Sequence, residues 1–379
     1  MIYLDHNAIT PVRPEALEAV RQGLDAFGNP SSVHAAGRAA RDLLDRARGQ
    51  VARALGAAPG EVVFTSGATE AAALAMRGAL GAAAPGRRGL VVTAVEHPCV
   101  LDLARALAAD GVPLRVVPVD GRGEPDLGEL RAAVGRETAL VCAMLANNET
   151  GVVLPLREIA SATREAGALL FCDAVQAVGK LPVDVRTLGA DLVALTSQKL
   201  GGPRGAGALW VRSGIPLRPL FGGHQERGRR AGTENLPGLA GLGAAVEAAS
   251  GRREAEQALI GALRDRLERG LLEAVRGARV NGAGAARLPG TLSITFPGCD
   301  GEALLMAMDL EGLCASAGAA CTSGSTKPSH VLSAMGLSPP EARATIRFSL
   351  GWSSSEADVD GALDVIPPLV ERVRRAIPL

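Results

Sequence analysis

Only three of the forty basic residues in this chain are lysine: Lys180, Lys199 and Lys327. Arginine serves wherever a generic cation is needed, and a guanidinium neither loses its proton nor forms an imine. Amine chemistry therefore falls on one of these side chains or on the amino terminus. Lys199 follows the apolar run Leu192-Val193-Ala194-Leu195-Thr196 and precedes Leu200-Gly201-Gly202-Pro203, so it leaves a strand into a glycine-rich turn. Asp173 closes a second such run, Leu169-Leu170-Phe171-Cys172, and Gln176 follows it. A carboxylate at the tip of a buried strand has to be capped, paired or used. A third strand exit, Thr65-Ser66-Gly67-Ala68-Thr69-Glu70, passes through glycine into a helix and offers amide N–H groups and hydroxyls to an anion. Read alone, it is more simply an ordinary helix cap.

One amine, one acid and one anion cradle at separate strand tips suit pyridoxal 5'-phosphate (PLP). Lysine forms the Schiff base, the acid keeps the pyridine nitrogen protonated so that the ring accepts electrons, and the glycine turn takes the phosphate. His97, in Val95-Glu96-His97-Pro98, also follows a strand, where an imidazole can lie on a flat ring or shuttle a proton. Cys321 is flanked by Ser316-Ala317-Gly318-Ala319-Ala320 and Thr322-Ser323-Gly324-Ser325, small and polar surroundings of the kind that let a thiolate reach a partner. Arg347 is a lone cation in Thr345-Ile346-Arg347-Phe348-Ser349 and requires either a bound carboxylate or an internal salt bridge. Lys180 and Lys327 read as solvated loop residues. His34, His224 and His330 read as loop residues of open role. Cys142 and Cys172 fall inside apolar runs and read as small hydrophobes, and the absence of any Cys-x-x-Cys speaks against zinc or a redox dithiol.

The elements that must position these groups are legible as alternating runs. Strands are expected at Val62–Thr65, Leu90–Thr93, Leu114–Val117, Leu140–Met144, Leu169–Asp173, Leu192–Thr196 and Ala208–Val211. Helical stretches near 38–55, 70–80, 100–109, 127–134 and 156–166 accompany them, the pattern of a mostly parallel, helix-covered sheet. After a Gly- and Arg-rich loop at 221–233, a long helix carries Leu259, Leu263, Leu267 and Leu271, followed by strands near Thr291–Phe296 and Thr345–Ser349 and a final helix near 357–375. The 379 residues suffice for two or three domains, and forty basic against forty acidic residues leave no net field for nucleic acid or an anionic membrane. No apolar run approaches the roughly 18 residues of a membrane span, and Met1–His6 lack both a basic and an apolar leader, so a soluble cytoplasmic protein is expected.

The ordered motifs resemble the PLP-dependent cysteine desulfurases of the NifS and IscS type, within the class V aminotransferase superfamily. They run from Tyr3-Leu4-Asp5-His6-Asn7-Ala8 and Gly28-Asn29-Pro30-Ser31-Ser32-Val33-His34 through Asn147-Asn148-Glu149-Thr150-Gly151, Asp173-Ala174-Val175-Gln176 and Arg230-Ala231-Gly232-Thr233-Glu234-Asn235 to Cys321-Thr322-Ser323-Gly324-Ser325 and Ile346-Arg347-Phe348-Ser349. The resemblance implies an α/β fold of the aspartate aminotransferase-like type, fold type I. Residues 1–14 would pack with the small domain, 15–250 form the large PLP-binding domain, and 251–379 form a smaller α+β domain carrying the catalytic cysteine loop. It implies conversion of L-cysteine to L-alanine, with sulfur held as a persulfide on Cys321 and passed to an iron–sulfur scaffold or other acceptor. Lys199 is then the Schiff-base lysine and His97 stacks on the ring. Asp173 pairs the ring nitrogen and Gln176 its phenolic oxygen. Ala68, Thr69, Thr196 and Gln198 serve the cofactor and its phosphate, and Thr233 reaches the phosphate of the other subunit of a homodimer. Asn148 and Arg347 hold the substrate carboxylate, and no metal is expected. One departure is Gln198, where the family usually has histidine: an amide still donates to phosphate, but not as a cation. The rival readings are an aminotransferase or selenocysteine lyase of the same superfamily, which would not need Cys321, and a partner-binding subunit without catalysis.

Overall fold

Each of the seven apolar runs expected between residues 62 and 211 forms a strand in the computed structural model, which describes residues 1–317 and 328–376. After a short β1 (Ile2–Tyr3) come β2 (Val62–Thr65), β3 (Gly89–Thr93), β4 (Leu114–Val117), β5 (Thr138–Met144), β6 (Leu169–Asp173), β7 (Leu192–Thr196) and β8 (Gly207–Val211). They form one sheet in the order β2-β8-β7-β6-β5-β3-β4, parallel throughout except where β8 runs against both of its neighbours. Apart from the edge strand β4, whose Arg115 and Val116 are exposed, the strands read as apolar runs because both faces are covered. Alternate residues such as Val91, Val141, Leu170 and Val193 join one core with the helices Ala35–Leu55, Leu156–Glu165 and Leu236–Gly251. Leu90, Leu140, Phe171 and Leu192 face a second core with the helices Ala68–Ala82 and Pro98–Ala109. Cys142 and Cys172 are fully buried in these layers, as expected of small hydrophobes.

The tips of β6 and β7 and the start of the helix Ala68–Ala82 share one edge of this sheet. Their approach depends on Gly207, which pairs with both Thr65 and Thr196. A methyl group there would lie 2.6 Å from Gly67 Cα and 2.9 Å from Leu195 O. Backbone atoms cannot swing aside as a flexible side chain can. Gly207→Ala is therefore expected to destabilise the protein by about 1–3 kcal/mol through overpacking. Thermal denaturation checks it, and a variant melting with the wild type would contradict this close approach.

The remaining strands are β9 (Arg279–Val280), β10 (Thr291–Thr295), β11 (Leu313–Cys314), β12 (Ser316–Ala317) and β13 (Thr345–Ser349). An antiparallel sheet in the order β12-β13-β10-β9 packs with the helices Arg253–Ala274, Gly301–Leu310 and Glu356–Ala376 around Phe296, Phe348 and Leu267. β1 pairs in parallel with β11, and Asp5 bridges to Ser349, so the N-terminal segment lies alongside this second core. On the helix Arg253–Ala274, Leu263, Leu267 and Leu271 are buried with Ile260, whereas Leu259 is 54% exposed. At about 100° per residue, strict i+4 spacing drifts by roughly 40° at each step and leaves the buried face.

Candidate active site

Asp173 ends β6 buried at the cavity, its Oδ1 accepting the Val175 N–H at 2.9 Å. Burial pushes its pKa up to about 6 against the opposing pull of that hydrogen bond and the Lys199 charge. Lys199 leaves β7 through a single 3-10 turn, Ser197–Lys199, and its Nζ donates to Asn7 O at 2.7 Å and to Ala8 O. His97 caps the helix Pro98–Ala109, with Nδ1 accepting the Cys99 N–H at 3.2 Å. Burial, then the nearby Lys199 and His330 charges, lowers its pKa to about 4. At neutral pH the ring is an uncharged imidazole with its proton on Nε2.

The helix Ala68–Ala82 starts at Gly67 with no side chain capping it, so its first amides remain directed at whatever occupies the edge. Beside it, Thr196 Oγ1 donates to Gln198 Oε1 at 2.6 Å, which leaves the Gln198 Nε2 hydrogens as donors. On β13, Arg347 donates from Nη2 to Asp5 Oδ1 at 2.8 Å and from Nη1 to Asn148 O at 3.0 Å. Its Nε is buried without a hydrogen-bond partner among the described residues. The internal salt bridge left open by the sequence thus exists, and one donor of the same guanidinium is still unpaired.

Ala68, Thr69, His97, Asn148, Asp173, Gln176, Thr196, Gln198, Lys199 and Arg347 all line one cavity of about 380 Å³. Of the sequence candidates, Thr233 is not among its lining residues: it is exposed on the loop where Arg230 pairs with Glu70 at 2.7 Å. Cys321 and Lys327 lie outside the described residues.

Lys180 is a correction. Instead of projecting into solvent, it donates from Nζ to Gln176 Oε1 at 2.7 Å and to Asn7 Oδ1 at 2.9 Å. Loss of hydration, then the charges of Lys199 and Arg347, lowers its pKa to about 7. Its place one helical turn after Gln176 was the signal available in the sequence. His330 also does more than occupy a loop: it opens the helix His330–Ala334, and its Nε2 meets Glu96 O at 2.9 Å. His34 caps the helix Ala35–Leu55 by accepting the Gly37 N–H. Glu96, read only as part of a motif, is fully buried beneath the site, with Oε1 accepting from Thr93 Oγ1 and the Met144 N–H. Burial pushes its pKa up to about 8, which favours the protonated acid over the carboxylate.

The cavity lies beyond the carboxyl ends of parallel strands, where open α/β sheets bind their ligands. The model of the aminotransferase class-V family matches residues 2–361. Cysteine desulfurases of Trichormus azollae and Cereibacter sphaeroides are each 47% identical over 380 residues, spanning all of this chain and 95% and 97% of their own. A solved NifS-like protein superposes with a TM-score of 0.92 at 34% identity, covering 98% of this chain and 99% of its own. The structure of SspA in complex with cysteine gives 0.82 at 32% identity over 94% and 100%. The chain belongs to the class-V aminotransferase family, among the cysteine desulfurases of the NifS type. The α/β fold expected from the alternating runs is the one observed, and no helix among the described residues is long and apolar enough to cross a membrane.

Proposed function

We propose that this chain is a PLP-dependent cysteine desulfurase that converts L-cysteine to L-alanine and collects the sulfur on Cys321. The observation that carries the cofactor reading is the convergence of Lys199, Asp173, His97 and the uncapped Gly67 turn on one cavity. These residues fit PLP group by group. Gly67, Ala68, Thr69 and the Gln198 amide would hold the phosphate, Asp173 the ring nitrogen, Gln176 the phenolic oxygen, His97 the ring face and Lys199 the aldehyde carbon. When bound, PLP supplies an electron sink for charge developing at the substrate Cα.

The chain's own groups do the rest. Arg347 and Asn148, both lining the cavity, orient the cysteine carboxylate. Lys199 Nζ takes the Cα proton and returns one to the product carbon. The Cys321 thiolate attacks the substrate sulfur: the new S–S bond forms as the substrate C–S bond breaks, leaving a persulfide and, after protonation, alanine. The Gln198 departure does not favour the non-catalytic reading, because its engagement with Thr196 leaves the amide N–H donors for an anion.

The wider reading follows the resemblance. Two subunits share their active sites through Thr233, residues 1–14, 15–250 and 251–379 divide as N-terminal segment, large and small domains, and a cytoplasmic iron–sulfur scaffold or related acceptor receives the sulfur. Alanine and sulfide measured from L-cysteine under reducing conditions, with and without added PLP, test the activity. PLP-dependent release of both is expected. PLP-loaded protein that makes no alanine, or that instead transfers the amino group to an α-keto acid, overturns it.

A further inference from the structure

Lys180 and the backbone oxygen of Asn7 grip the Gln176 side chain from opposite ends. Oε1 accepts from Lys180 Nζ at 2.7 Å, and Nε2 donates to Asn7 O at 3.0 Å. A carbonyl oxygen can only accept, so Asn7 O requires Nε2 on its side and turns Oε1 to Lys180 Nζ, which admits one orientation of the amide. One Nε2 hydrogen then remains for another acceptor. Gln176 lines the main cavity, whereas Lys180 lines a smaller one behind it with His6, Thr10 and Leu200.

The turn that follows β6 sets up this grip. The Ala177 and Val178 N–H groups both donate to Ala174 O and the Lys180 N–H to Ala177 O, which stacks Gln176 and Lys180 one helical turn apart. Gly179 takes a φ of +75°, and a side chain there would also press on Leu200 and Ala249. Asn7 is fixed in turn, donating from Nδ2 to Thr291 Oγ1 at 2.9 Å and from its N–H to Ser349 Oγ at 2.9 Å.

We propose that Lys180 is a positioning residue of this active site: by holding Gln176 Oε1, it keeps an N–H of Gln176 available to the phenolic oxygen of the cofactor. This rests on the PLP reading above. In its charged form Lys180 also polarises the amide and strengthens its N–H as a donor. Without Lys180, Gln176 Oε1 is left as a buried acceptor with no donor, and the amide gains by turning toward other donors in the cavity. The lowered basicity of Lys180 agrees with its enclosure beside two further cations.

The test titrates PLP-stripped protein with PLP and follows the visible absorption band across pH. Lys180→Met is expected to weaken PLP binding about tenfold, the scale of one buried hydrogen bond, and to shift the band's pH midpoint. Lys180→Arg, which keeps donors and charge, is expected to restore most of both. In a Gln176→Leu background, Lys180→Met should add less than twofold, because the residue acts through the glutamine. Lys180→Gln, which keeps a donor without the charge, is expected to give an intermediate effect and serves if the methionine variant does not fold. An unchanged affinity and band in the Met or Gln variants, or an equal tenfold loss with and without Gln176, overturns the proposal. Wild-type protein that takes up no PLP instead overturns the cofactor reading itself.

Discussion

Alanine at position 199 abolishes covalent attachment of the cofactor and lowers alanine formation by at least about 10²–10⁴-fold, the share of the rate a positioned proton-transfer group supplies. The cavity geometry makes this loss hard to rescue. Lys199 Nζ is held at its edge by the Asn7 and Ala8 carbonyls. Lys180 lies nearby, but its ammonium is committed to Gln176 and Asn7 and does not line the cavity. Borohydride reduction of the PLP-loaded wild type followed by peptide mapping is expected to place the label on Lys199 alone. A label on Lys180 or Lys327 would contradict the assignment.

Serine at position 321 has an equally large effect on a different step. The variant is expected to stay folded, keep its PLP and bind cysteine, yet to form no persulfide and release alanine at least about a hundredfold more slowly. A neutral hydroxyl lacks the thiolate's affinity for sulfur. Other cysteines are poor substitutes: burial pushes the Cys142 and Cys172 thiols well above their ordinary pKa. Cys99, which lines the cavity beside His97, is the sharper competitor. Mass spectrometry of nonreduced peptides after one turnover with isotopically labelled cysteine decides between them. An extra sulfur on Cys99, or unimpaired alanine formation by Cys321→Ser, would sink the mechanism.

The sheet was readable because its signal is local. Apolar runs of four to seven residues name the strands β2 to β8, and the polar residues that end β6 and β7, Asp173 and Thr196, reach the cavity. Lysine rarity then singled out Lys199. What stayed hidden depends on partners distant in sequence: Lys180 meets Asn7 across 173 positions, and Arg347 meets Asp5 across 342. Spacing placed Lys180 one turn after Gln176, but its enclosure also needs the folded N-terminal segment, whose Asn7 accepts from its Nζ.

The N-terminal segment has a consequence for the order in which the molecule is completed. Asn7 and Ala8 supply the carbonyls that hold Lys199, and Asp5 anchors Arg347. Yet their supports, Leu313–Cys314 and Ser349, are translated some three hundred residues later. At roughly 5–20 residues per second, that gap lasts on the order of tens of seconds on the ribosome. Throughout it, the nascent sheet can already present Asp173 and Lys199 while one wall of their chamber is still untethered. Cofactor arriving in that interval meets a half-built site, so tight capture has to await the emergence of β13.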